Sequence, residues 1–588
     1  MATRDPHSHT DTAQGEITDA NLRLNVDFEQ RLLEGDVTLT LANAKAGPFD
    51  LDTRGLEISR VADAEGNDLD WQLGEHAEIF GSRLRIALPG ALTSLTIAYS
   101  TSTEASALQW LEPSNTAGKV HPYLFSQCQP HHARSIVPIQ DSARVRFRYR
   151  ATITVPDPLV AVMSAAPGNR EVLGNGRNRF AFEMPQPIPA YLIALAVGNI
   201  EGRDVGPRSR VYCEPEMLEA SAWEFAEVDG MLKKAEALFG EYRWQRYDFL
   251  VMPPAFPYGG MENPRLTFLT PSLIAGDRSL VDVLAHELAH SWTGNLVTNA
   301  TMNDFWLNEG FTVWAERRIL EALHGEEAVA LSAAIGRDDL TRELNRFGMA
   351  SPLTRLKNDL SNIDPDEVYS CVPYEKGFLL VALLEQLVGR PQFDEFVRSY
   401  MNAFQFKSID TEEFLEFLDC ELPEAREKID LQAWIYEAGL PSDAPAFESR
   451  RLKELNRLAS GWTEGLRPNV AEAKAWSVSE WLVYLGGLPT EMNHDDCKWL
   501  AENFSFNESH NSEILCKWLV IAIRSGYEPA ITKASDFLAN IGRMKFLKPL
   551  YKELHEGEKT RELALTIYER NRESYHPIAR SGLELILK

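Results

Sequence analysis

The segment Val283-Leu284-Ala285-His286-Glu287-Leu288-Ala289-His290 carries the residue types best suited to chemistry in this chain. Its apolar residues recur at helical spacing, and on a helix two histidines four positions apart share one face with Cβ atoms about 6 Å apart. That spacing lets both imidazoles reach one tetrahedral zinc ion, with Glu287 projecting beside it. A catalytic zinc needs a third protein ligand and one open position. Glu309, in Asn308-Glu309-Gly310-Phe311, follows His290 after 18 residues, a gap that fits a turn and a second, antiparallel helix returning to the metal. His286, His290 and Glu309 then make the two-His, one-Glu set of zinc hydrolases. A single zinc ion there would acidify water and polarise a carbonyl, while Glu287 accepts the water proton and passes it to a leaving amine. The chemistry is amide hydrolysis.

Three kinds of segment must position these groups. From Leu22 to about Ile200 apolar and polar residues alternate, as in Leu22, Leu24, Val26 and Phe28, in Val37, Leu39 and Leu41, and from Val145 to Val155. This period of two describes antiparallel sheets with one face on a core, so residues 1–200 are expected to form an all-β domain. Beyond about residue 215 the period becomes helical, with helices expected over Ala220 to Phe239 and Leu280 to Leu296. The zinc motif therefore belongs to a helix-rich domain, 201–445, which ends at the Pro441 and Pro445 punctuation of a linker. Residues 446–588 read as helices of roughly 12 to 16 residues divided at Gly486-Gly487, Gly526 and Gly557, a small right-handed stack of antiparallel helices. The fold class is multidomain α+β.

Composition narrows the partners. The chain's 588 residues, 44% hydrophobic and 25% charged, suit a folded globular protein. Its 59 Lys+Arg against 86 Asp+Glu leave a net charge of −27, which repels nucleic acid and anionic lipid. Six scattered cysteines, at 128, 213, 371, 420, 497 and 516, form no disulfide framework. Met1 to Gly15 is polar and lacks the apolar core of a signal peptide, and no run of about 18 apolar residues occurs. A cytoplasmic monomer with its first dozen residues loose is expected, with no membrane partner.

Upstream lies Pro257-Tyr258-Gly259-Gly260-Met261-Glu262-Asn263-Pro264. With HExxH, the 18-residue gap and Asn308-Glu309-Gly310, it closely resembles the zinc aminopeptidases of metallopeptidase family M1. Phe125-Ser126-Gln127-Cys128-Gln129, Val372-Pro373-Tyr374-Glu375-Lys376-Gly377 and Gly542-Arg543-Met544-Lys545-Phe546 resemble the leukotriene hydrolase/aminopeptidase branch of that family, so the likeness spans nearly the whole chain. It implies a thermolysin-like catalytic domain between the β domain and a solenoid-like α-helical domain that closes the cleft. Short peptides with a free α-amino group are the implied substrates. Glu262 would bind that amine, with Tyr258, Gly259, Gly260 and Met261 lining the peptide's path and Gln127 and Gln129 contacting its first residue. Tyr374 would donate to the oxyanion, and Arg543 and Lys545 would hold the peptide carboxylate. A carboxylate beside the metal rewards a cationic amine and leaves a blocked N-terminus unpaired, which favours removal of single residues.

In that branch the same zinc site can open a lipid epoxide, and the residues implicated correspond to Asp366 and Tyr369. An epoxide hydrolase is thus the rival enzyme reading, and a non-catalytic scaffold the third; a scaffold would need none of Glu287, Tyr374 and Glu262. Glu316, on the face of Glu309, is a candidate partner for a zinc histidine. The arginines of Arg144-Val145-Arg146-Phe147-Arg148-Tyr149-Arg150 share one strand face, read as a solvated outer surface. His7 with His9, and His131 with His132, read as loop histidines because no third ligand stands at a suitable spacing.

Overall fold

The computed structural model describes residues 4–588. Alternation from Leu22 onward builds a seven-stranded sheet, in spatial order Ala166–Val172, Arg177–Pro189, Arg146–Pro156, Glu16–Asp27, Leu32–Ala42, Ser94–Ser100 and Glu57–Asp63. Glu16–Asp27 and Arg146–Pro156 run parallel; the other neighbours are antiparallel. Leu22, Leu24, Val26, Val37 and Leu39 fall on the buried face, as a period of two requires. A four-stranded sheet includes Tyr123–Ser126, whose end delivers Gln127 and Gln129 to the neighbouring domain.

The catalytic domain begins on a five-stranded sheet ordered Glu201–Gly206, Ser209–Cys213, Asp248–Val251, Leu266–Leu269 and Gly260–Met261. The edge strand Gly260–Met261 pairs antiparallel, Gly260 with Leu269 and Met261 with Phe268. Behind it lie the helix Val281–Ala289, which bears HExxH, and the helix Trp306–His324, which bears Glu309. The second of these is buried along most of its length, and Gly377–Val388 packs on it. Residues Arg450 to Ile586 form the helical stack, in which Arg450–Ser460, Val478–Gly486, Ser512–Arg524, Met544–Glu556 and Pro577–Ile586 pack each on the next. The β and catalytic domains share one continuous apolar core. The stack has its own, joined by Leu331 of the catalytic domain.

Several expectations need correction. The helix expected over Ala220 to Phe239 is two, Leu218–Glu224 and Val228–Phe239. The break lets the buried Glu224 carboxylate accept from the backbone N–H groups of Gly276 and Arg278 at 2.9 and 2.8 Å. The motif helix stops at Ala289, short of Leu296, because the chain reverses at Gly294 with φ of +118°. Residues 4–14 are not loose; Asp5, His7, Ser8 and Thr10 are buried, whereas Met1–Thr3 lie outside the described residues. Of the four arginines only Arg148 and Arg150 are solvated. Arg144 pairs with Asp410 and Glu413, and Arg146 donates to Thr298 Oγ1 and Asn295 O, so this end of the strand ties the β domain to the catalytic domain.

The helices Trp306–His324 and Gly377–Val388 meet backbone to backbone. A Cβ at Gly310 would stand 2.7 Å from Gly377 Cα. Gly310→Ala should therefore destabilise the protein by about 1–3 kcal/mol through overpacking, measured as a lowered urea midpoint; an unchanged midpoint would mean the helices separate freely.

Candidate active site

HExxH and the Asn308-Glu309-Gly310 helix bring three acceptors to one point. His286 Nδ1 lies 2.9 Å from Glu316 Oε2, and His290 Nδ1 lies 2.9 Å from the Thr293 carbonyl. Carboxylates and carbonyls only accept, so both rings carry a proton on Nδ1 and turn Nε2 inward as the atom a metal would take. Those two nitrogens stand 3.5 and 3.4 Å from Glu309 Oε2, which is buried and has no hydrogen-bond partner. A buried, unpartnered carboxylate oxygen faced by two ring nitrogens calls for a cation, and two imidazoles with one carboxylate fit zinc. Glu316, read from its spacing alone, is the partner of His286. Thr293 and Thr312 around His290 had no sequence signal.

Glu287 and Glu262 converge on the same point. One carboxylate oxygen of each and a ring nitrogen of His290 lie within 4.8 Å of one another. Burial pushes Glu287 up to about 7 and raises Glu262 as well. Gly260 explains the paired glycines before Glu262: a Cβ there would stand 2.2 Å from Glu287 Oε1. Gln129 Nε2 donates to Glu262 Oε1 at 3.3 Å. Gln127 Nε2 donates to Met261 Sδ at 3.1 Å, and its carbonyl oxygen has no partner.

Tyr374 sits in a π-helical turn, Val372–Lys376, that leads into Gly377–Val388. Its ring stacks on His286 with centroids 6.1 Å apart, and its hydroxyl bonds that of Tyr369. Burial holds the Tyr374 hydroxyl pKa well above the ordinary value, so it stays a proton donor. Arg543 and Lys545 enter from the helical stack, both bonded to Glu513. A Cβ at Gly259 would stand 2.7 Å from Arg543 Nη2, and Met544 N donates to Pro257 O at 2.9 Å, so the stack clasps the Gly259-Gly260-Met261-Glu262 strand. Glu513 was missed because no spacing marks it.

All of the sequence-expected site residues line one cleft of about 560 Å³, together with Asp366 and Tyr369. The Asp366 carboxylate is held by His132 Nε2 at 2.8 Å, a contact invisible in sequence at a separation of 234 residues.

A helix carrying HExxH, a glutamate from the next helix, and a carboxylate on the adjoining strand edge define a zinc metallopeptidase. Comparison with known families agrees domain by domain: the peptidase M1 N-terminal domain matches residues 15–192, the peptidase family M1 domain 223–434, and the leukotriene A4 hydrolase C-terminal domain 476–587. Leukotriene A-4 hydrolase of Xenopus laevis is 42% identical over 98% of this chain and 97% of its own length. Leucine aminopeptidase 2 of Yarrowia lipolytica is 40% identical over 98% of this chain and 92% of its own length. The solved structure of yeast LTA4 hydrolase in complex with bestatin superposes with a TM-score of 0.93 at 35% identity, covering 100% of this chain and 98% of that one. The chain belongs to peptidase family M1, on its leukotriene A4 hydrolase branch, and is a zinc-dependent aminopeptidase of three domains with one catalytic zinc.

Proposed function

We propose that the enzyme removes the first residue of short peptides with a free α-amino group, using Glu287 as general base and Tyr374 as oxyanion donor. The observation that carries this reading is the proximity of the Glu262 carboxylate to Glu287 and His290, all within 4.8 Å. An ammonium bound by Glu262 puts the first peptide bond, not an internal one, beside Glu287. The unpartnered Gln127 carbonyl oxygen and Gln129 offer further contacts to that residue. His286, His290 and Glu309 would hold the zinc, which when bound supplies Lewis acidity that polarises the carbonyl and acidifies water. Glu287 accepts the water proton and returns it to the departing amine, while the Tyr374 hydroxyl donates to the charge developing on the carbonyl oxygen. Arg543 and Lys545, held by Glu513, suit the carboxylate of a short peptide at the far end.

The test is a panel of aminoacyl chromogenic amides beside their N-acetylated counterparts, with and without a zinc chelator. Chelator-sensitive cleavage of the free-amine set alone supports the reading, and no cleavage by zinc-loaded protein overturns it. Glu262→Ala should lose about 1.5–3 kcal/mol of preference for the free amine, the worth of one charged hydrogen bond. Unchanged discrimination would reassign the amine anchor. Six thiols with no disulfide among them suit a reducing compartment, in keeping with a cytoplasmic enzyme. Among the described residues no helix is long and apolar enough to cross a membrane.

A second reading, hydrolysis of a lipid epoxide, is favoured by one observation: Asp366 and Tyr369 line the same cleft as Tyr374. A panel of lipid epoxides tests it, with loss of diol formation in Asp366→Asn expected and full retention contrary to it.

A further inference from the structure

Three segments distant in sequence meet beneath Gln129 and Pro130: the N-terminal arm with Asp5 and His7, the β-domain loop with His131, and the catalytic-domain loop around Leu360. One ligand-type atom from each of Asp5, His7 and His131 lies within 4.8 Å of the others, and the residues are 5%, 1% and 7% exposed. His7 fixes the logic of the cluster. Its Nε2 lies 2.9 Å from both the Leu360 and Ile363 carbonyls, so that nitrogen carries the proton. With both carbonyls on Nε2, Nδ1 is the ring nitrogen left free to ligate. That atom has no hydrogen-bond partner and faces Asp5 Oδ1 at 3.9 Å.

Asp5 adds acceptors of its own. Its carboxylate takes the His7 N–H at 2.9 Å and the Ser142 hydroxyl at 2.7 Å, and its Oδ2 stands 3.8 Å from His131 Nε2. The two ring-nitrogen-to-carboxylate separations, 3.9 Å from His7 Nδ1 and 3.8 Å from His131 Nε2, are too long for direct hydrogen bonds. They are slightly wider than the about 3.4 Å edge between ligands of a tetrahedral zinc. Two imidazole nitrogens with one carboxylate suit a first-row divalent cation, whereas calcium and magnesium prefer oxygen throughout.

We propose that Asp5, His7 Nδ1 and His131 Nε2 bind a second divalent cation, zinc in the first instance, separate from the catalytic ion. This ion pins the N-terminal arm across the junction of the β and catalytic domains, beneath the Gln129 that bonds Glu262. Its role is structural, and it does not depend on the peptide-trimming reading.

Metal stoichiometry decides it. Tag-free full-length protein is stripped with chelator, reloaded with Zn²⁺, desalted and measured by mass spectrometry. The expected result is two zinc per chain in the wild type, one in His131→Ala with hydrolysis of aminoacyl amides retained, and one in His290→Ala. The last arm leaves the new site unaltered, so it stays decisive even where His131→Ala fails to fold. Zinc should also raise the melting temperature of His290→Ala. One zinc per chain in the wild type with none in His290→Ala would leave a water in the cluster and overturn the proposal. Two per chain undiminished in His131→Ala would locate the extra ion elsewhere and overturn it equally.

Discussion

Replacing Glu287 with Gln is expected to lower kcat by roughly 10²- to 10⁴-fold while zinc stays bound at wild-type stoichiometry. The amide matches the carboxylate in shape, so it fits the space against Gly260, where even a Cβ would stand 2.2 Å from Glu287 Oε1. It cannot accept a proton. The histidines on either side keep their Nδ1 partners, Glu316 and Thr293 O, so the metal site should survive the substitution. KM should change little, because Glu262 and the Gln127–Gln129 loop are untouched. Steady-state kinetics with zinc analysis on the same sample checks both halves; turnover near the wild-type value would remove Glu287 from its role as base.

Tyr374→Phe carries the second large effect, a fall in kcat of roughly 10²- to 10³-fold, the cost of deleting one donor to a developing oxyanion. The ring stacks on His286 and packs edge-on against Phe305, with centroids 6.0 Å apart, so phenylalanine keeps the packing and loses only the hydroxyl. Tyr369 supplies the control. Its hydroxyl bonds that of Tyr374, so Tyr369→Phe leaves the donor in place and should cost peptide hydrolysis far less. Equal losses in the two variants would mean that the tyrosine pair acts as a unit.

How much of this could be read from the sequence depended on how far each contact reaches along the chain. His286, Glu287, His290 and Glu316 were legible because a helix converts spacing directly into direction, and Glu309 because a turn and one more helix close an 18-residue gap. Tyr374, Arg543 and Glu262 were legible only through resemblance, since no periodicity carries a residue across a domain junction. Glu513 beneath Arg543, and His132 against Asp366, were legible by neither route. The N-terminal arm was misread for the same reason: its polar residues signal a solvated tail, yet His7 bonds a carbonyl 353 residues away. The alternation of Arg144 to Arg150 gave the strand's face correctly, but could not tell which end of that face another domain covers.

The hydrogen bond from Met544 N to Pro257 O, with Arg543 lodged against Gly259, makes the helical stack a roof over the strand edge Gly260–Met261. A cleft of about 560 Å³ under such a roof admits a ligand of modest size. The termini of intact folded proteins would be sterically barred before chemistry is offered to them. Size selection by the roof then acts before any side chain reads the ligand.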